Sequence, residues 1–159
     1  MFFPQGFNLT LSAQKISPNQ NDIMMYDAGM YWQKYGWHIE AEYLYKHYSH
    51  DAFKAVHSFD GFINYDIALK KKNCLIKKIS PIVRYDFMTN HSDGSLTEDG
   101  KLKLTDYKRS RVTGGVTFSL AKPFVSDIRL NYEKYFYGKN GIAKPSEKDK
   151  IVLEVMTRF

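Results

Sequence analysis

A single cysteine, Cys74, is all the sequence contains, so no disulfide can form within the chain and a cystine-stapled scaffold is excluded. No stretch reaches the run of about 18 apolar residues that a membrane-spanning helix requires. Helical periodicity is also missing, as are zinc-ligand spacings, RNP-like motifs and a basic recognition helix. Helical membrane proteins and the common nucleic-acid modules are thereby set aside. The opening residues Met1 to Gly6 carry no basic segment, apolar segment or small-residue cleavage site. A chain destined for an outer membrane is then expected to be a mature fragment or the C-terminal part of a longer protein.

Aromatic residues are abundant. Twelve Tyr, eleven Phe and two Trp make up 16% of the 159 residues, and the half-polar tyrosine ring suits a membrane interface. The formal charge of +6 does not signal nucleic acid, because lysines cluster at an expected chain reversal, Lys70 to Lys72. A mean hydropathy of -0.46 is compatible with strands that hide their apolar face by alternation.

That alternation recurs along the whole chain, treated as one domain, 1–159. Phe7 to Lys15, Ile23 to Lys34, Trp37 to Tyr48, Phe53 to Leu69, Ile76 to Met88, Tyr107 to Leu120, Asp127 to Tyr137 and Lys148 to Phe159 read as eight strands, each long enough to cross a bilayer at a tilt. In the fifth, Ile79, Pro81, Val83, Tyr85 and Phe87 oppose Ser80, Ile82, Arg84, Asp86 and Met88. Pro81 cannot donate to a ladder and is expected to bring a bulge or a strand end. Gly114 and Gly115 precede no helix, so they predict a bulge or a close approach rather than a phosphate-binding loop. The fold expected is all-β: an antiparallel transmembrane β-barrel meander.

Connection lengths orient it. Tyr35 with Gly36, Lys70 to Asn73, and Ala121 to Phe124 are short turns at one end; Thr89 to Asp106 and Gly138 to Glu147 are longer loops at the other. Short periplasmic turns and long extracellular loops are the barrel pattern. Trp32 and Trp37 then lie near the periplasmic rim, and Tyr135, Phe136 and Tyr137 near the outer one.

The last strand alternates up to a terminal Phe159, and this ending resembles the assembly signal of bacterial outer-membrane barrels. The segments GWHIEAEYLYKHY (36–48), ISPIVRYDF (79–87) and RVTGGVTFSLAKPFVSDIRLNYEKY (111–135) resemble the C-terminal part of the phosphate-selective porin O/P family, most closely its Bacteroidetes branch. The resemblance implies passive diffusion of small solutes or anions such as phosphate in a bacterial outer membrane, and a 16-stranded trimeric barrel of which these eight strands are the second half. It also implies lipid, lipopolysaccharide and the barrel-assembly machinery as partners, with no cofactor. The wall arginines that favour anions in that family correspond loosely to Arg84, Arg111, Arg129 and Arg158.

Parity alone adds Lys46 and Arg109 to that wall. It also adds nine acids, Asp27, Glu40, Glu42, Asp60, Asp66, Asp86, Asp127, Glu133 and Glu154, so anion selectivity does not follow from this half. Cross-strand pairing of these charges is the simpler expectation. Two other arrangements fit the pattern: a small eight-stranded outer-membrane barrel with an anchoring or structural role, and a soluble lipid carrier with its apolar face inward. Catalysis is not expected. His47, Ser49, His50 and Asp51 lie within five residues at a loop tip, where nothing fixes the geometry a nucleophile and base require. Neither they nor His91 with Asp93 make a metal-ligand set.

Overall fold

A computed structural model describes residues 5–17, 21–70, 75–121, 125–141 and 144–158. Nearly all of them are strand or turn. The strands are β1 (Phe7–Ile16), β2 (Ile23–Lys34), β3 (Trp37–Tyr48), β4 (Val56–Tyr65), β5 (Ile67–Ala68), β6 (Ile76–Met88), β7 (His91–Leu96), β8 (Leu102–Asp106), β9 (Arg109–Leu120), β10 (Val125–Tyr137) and β11 (Lys150–Arg158). One antiparallel sheet carries the order β1-β2-β3-β4-β6-β9-β10-β11, with β5 continuing β4 against β6; β7 and β8 form a separate hairpin. The large sheet is an open meander: β1 and β11 are its two ends.

Alternation decides which side chains share a face. In β3, Ile39, Ala41, Tyr43 and Tyr45 project to one side, His38, Glu40, Glu42 and Lys46 to the other. The pairing preserves this partition from strand to strand, since Ile39 lies opposite Trp32 and Ile63, and Glu40 opposite Tyr31 and Phe62. Among the described residues Val56 is the one buried hydrophobic. Leu11 is 73% exposed, Val83 60% and Leu153 66%. An apolar sheet face has to be covered by something to be stable, and nothing within the described residues covers this one.

Aromatic rings band both ends of the apolar face. At the loop end Tyr26 stacks on Tyr45, Tyr45 on His57, and Phe59 on Phe87, with centroids 6.2, 4.7 and 6.2 Å apart. At the other end Trp37 meets Tyr65 at 4.6 Å.

The β2–β3 connection is a two-residue hairpin in which both Tyr35 (φ 55°) and Gly36 (φ 86°) are left-handed. That geometry matches the twist of the flanking strands. A Cβ on Gly36 would lie 2.9 Å from the Asp66 carbonyl oxygen, the atom's own residue having its N–H bonded to the Gly36 carbonyl at 2.7 Å. Gly36→Ala is therefore expected to lower stability by about 1–2 kcal/mol, read as a lower urea midpoint.

Three features differ from simple alternation. β6 runs through Pro81, and the break falls on its neighbour: β4 ends at Tyr65 and β5 resumes at Ile67, facing the position where proline has no N–H to give. The register shift of β6 lies instead between Ile76 and Lys78. At Gly115 the expected close approach is present without a bulge, because the Asn131 side chain packs over the space a Cβ would fill. The turns at 71–74 and 122–124, expected to be short, lie outside the described residues, as does Phe159.

Candidate functional site

The polar face of the sheet gathers charged groups into rows. Glu42, Asp60, Asp86, Arg111 and Tyr135 follow one another across β3, β4, β6, β9 and β10. The next row holds Glu40, Phe62, Arg84, Thr113, Glu133 and Lys150. Interstrand spacing is short enough for arginine to reach a carboxylate in its own row or the next, and here both happen.

Asp60 and Asp86 stand directly opposite each other, an arrangement that repels. Arg84 lies between them, its Nη2 donating to Asp60 Oδ2 and its Nε to Asp86 Oδ1, the latter at 2.8 Å. Arg111 Nε takes the other Asp86 oxygen at 2.8 Å and reaches Glu133 with Nη1 at 3.4 Å. Tyr135 Oη donates to Glu133 at 2.9 Å, and Lys150 Nζ closes the series 3.5 Å from the same carboxylate. Nearer the turn end, Asp66 accepts from Lys78 (2.8 Å), Ser80 (2.6 Å) and Asn64 (3.1 Å). Arg129 there pairs with Glu154 at 3.0 Å. Single exposed pairs of this kind contribute about 0–1 kcal/mol; a chain of half-buried pairs holds its members in fixed positions as well.

The register places Arg84, Arg111, Arg129, Lys46, Asp66, Asp86, Glu133 and Glu154 on this face. Lys46 stays outside the chain of ion pairs, with its ammonium 4.8 Å from the Tyr48 ring centroid. Of Arg158 only the backbone pairing with Val125 is described. Two cations escape a count limited to Lys46 and the arginines: Lys78 and Lys150, both paired to carboxylates of this face. Carrying parity to the first residues of their strands would have found them, and they bring the face closer to charge balance.

Charge is uneven along the face. Asp27, Glu40 and Glu42 on β2 and β3 have Lys46 and His38, the latter 2.7 Å from Glu40, as basic neighbours of their strands, whereas β6, β9 and β10 carry Arg84, Arg109, Arg111 and Arg129 among their acids.

The longer connections are tied to this face. Arg109 Nη1 donates to Asp106 Oδ2 at 2.7 Å, and Lys144 Nζ donates to the same oxygen at 2.9 Å. Arg109 Nε also lies 3.4 Å from Glu147. The β7–β8 hairpin is fastened by Ser92 Oγ, which accepts the Lys54 N–H at 2.7 Å, and by Asn90 Oδ1, which accepts the Lys108 N–H at 2.6 Å. Partial burial pushes the Asp106 carboxyl up, but the hydrogen bonds from Arg109 and Lys144 outweigh it and bring it down to about 2. A depressed folded-state value means that the contribution is present above the ordinary aspartate range and lost as pH falls toward 2. Amide exchange in the hairpin is expected to stay slow and flat from pH 7 to pH 4, once corrected for intrinsic rates, and to quicken only below that.

Ser49 and His47 have partners other than each other. Ser49 Oγ accepts the Asp22 N–H at 2.8 Å, the His47 ring stacks on Tyr45 at 6.2 Å, and His50 adopts φ 56° in a one-turn 3-10 segment. The role of this loop is to tie the β1–β2 connection to the end of β3, since the Ser49 N–H also donates to the Asp22 carbonyl at 2.9 Å.

Comparison with known proteins gives no match to a family model, a curated protein or a solved structure.

Proposed function

We propose that this chain is wall of a water-filled β-barrel in a bacterial outer membrane, lining a diffusion pore for small solutes with weak preference between anions and cations. The observation that carries the reading is the two-sided sheet: an uncovered apolar face banded by aromatics, backed by a polar face of interlinked charges. Lipid covers the first and water the second.

Strand stagger supports it. The row that begins at Asn8, at the turn end of β1, passes through Tyr31, Glu40, Phe62, Arg84, Thr113 and Glu133 to leave the sheet at Lys150, the loop end of β11. A row that travels from one end of the strands to the other across the sheet is what tilted barrel strands require. The resemblance of segments 36–48, 79–87 and 111–135 to phosphate-selective porins points the same way.

Weak selectivity follows from the pairing. Arg84, Arg111 and Arg129 each face a carboxylate, so their field is largely cancelled at a distance. Reversal potential across planar bilayers under a salt gradient tests this, for the parent and for a variant with Arg84, Arg111, Arg129 and Arg158 neutralised. The expected parent value is near zero, moving toward cation preference in the variant. Strong anion selectivity in the parent that collapses in the variant would overturn the weak-preference reading in favour of an anion channel.

A further inference from the structure

At the outer end of the polar face two recesses of about 260 and 370 Å³ adjoin each other. Both are lined by Arg109 and Glu147, whose ion pair at 3.4 Å forms their common wall. Arg111 and Tyr135 line the inner recess; Tyr107, Tyr137 and Lys144 line the outer. The Tyr135 and Tyr137 rings stack, 6.4 Å between centroids and 14° from parallel, and Tyr137 Oη donates to the Glu147 carbonyl.

We propose that these recesses form a docking site for a neutral polyhydroxylated solute, a short oligosaccharide, at the mouth of the wall. Charge decides against an inorganic anion. Arg109 already faces Asp106 and Glu147, Lys144 faces Asp106, and Arg111 faces Asp86 and Glu133. Phosphate would bring its charge against the carboxylates that already neutralise each of these cations. A hydroxyl-bearing solute displaces nothing, because a guanidinium has five N–H donors and a carboxylate about four acceptor positions, of which the ion pairs use only some. Tyrosine rings supply the apolar surface that the C–H faces of a sugar need, and a recess with aromatic lining and a few convergent polar groups is the usual form of a small-solute site. Paired groups have a second advantage: they are held in place before the solute arrives, so less order has to be imposed on binding.

This site rests on the pore reading in that it takes the recess to open on water at a barrel mouth, but binding can be measured without a pore. The full chain, folded in detergent micelles, is titrated with maltotriose and separately with inorganic phosphate, followed by saturation-transfer NMR and calorimetry. Maltotriose is expected to bind with a Kd on the order of 1 mM, with saturation passing from tyrosine ring protons to the sugar. Tyr137→Ala is expected to weaken it about tenfold, while Tyr137→Phe, which keeps the ring, stays within about threefold. Should Tyr137→Ala fail to fold, Arg109→Gln, which leaves both rings, is expected to weaken binding by a similar factor. Phosphate binding tighter than maltotriose, no binding of either, or maltotriose binding indifferent to both Tyr137→Ala and Arg109→Gln overturns the site. Bilayer conductance is recorded in parallel: a chain that binds maltotriose and carries no current overturns the pore and leaves the site standing.

Discussion

Arginine at Val83 is expected to abolish stable insertion of the folded chain, whereas arginine at Ile82, one residue earlier, is expected to be tolerated. The two positions share a strand, a depth and a similar volume. They differ in face: Val83 stands between Ile63 and Gly114 on the apolar side, and Ile82 between Asn64 and Gly115 on the polar side. A cation on the lipid side near the middle of a barrel strand costs about 2–4 kcal/mol, which is a large part of the stability of a domain this size. On the wet side it costs little. The measurement is the heat-modifiable fraction on gels after folding into lipid vesicles, with urea midpoints for whatever folds. Greater damage from Ile82→Arg than from Val83→Arg would mean that the polar side is packed and the Val83 side meets water, and would end the membrane reading.

Removing Arg111 has the second largest expected effect. Its guanidinium links Asp86 to Glu133 and packs 5.9 Å from the Tyr135 ring centroid. In Arg111→Ala the opposed pair Asp60 and Asp86 is left to Arg84 alone, and Glu133 to Lys150. Deleting one partner of a fully buried pair costs about 3–5 kcal/mol; with 28% of the Arg111 side chain still exposed, a loss of about 2 kcal/mol is expected. The double variant Arg111→Ala, Asp86→Asn should regain more than half of it, since it removes the charge that was stranded. Urea unfolding of the three proteins in one detergent checks this, and an additive double variant would show that Arg111 acts through packing instead.

Much of the sheet could be read from the chain because alternation is a strong signal wherever one face is apolar. Ile23–Lys34, Trp37–Tyr48 and Ile76–Met88 are strands over the expected residues. Departures have local causes. The strand expected from Phe53 begins at Val56, because the Lys54 N–H is taken by Ser92 Oγ. Tyr107 and Lys108 stay out of β9 because their N–H groups go to Asp106 and Asn90 side chains. The β7–β8 hairpin was illegible for a different reason. His91–Leu96 reads HSDGSL, with turn residues throughout, and its register against β8 shifts twice. No period of two can survive that, and its anchors, Ser92 and Asn90, bond to residues distant in sequence. On the polar face, parity identified the charged positions, but partners depend on register. Which carboxylate meets Arg111 could be known only once Asp86 and Glu133 were seen on either side of it.

The hairpin in the longest connection bears on how quickly the sheet can form. Most pairings in the meander join strands that follow each other, so most contacts close over a short connection. Joining β6 to β9, where Met88 meets Arg109, spans the greatest length of chain. With β7 and β8 already paired, Asn90 is brought next to Lys108, and the segment that must close is shortened to a few residues. Each halving of a flexible loop lowers its closure cost by about 0.6 kcal/mol, a factor of roughly three in rate. Disrupting the β7–β8 hairpin should therefore slow the joining of the two halves of the sheet while leaving each half free to assemble.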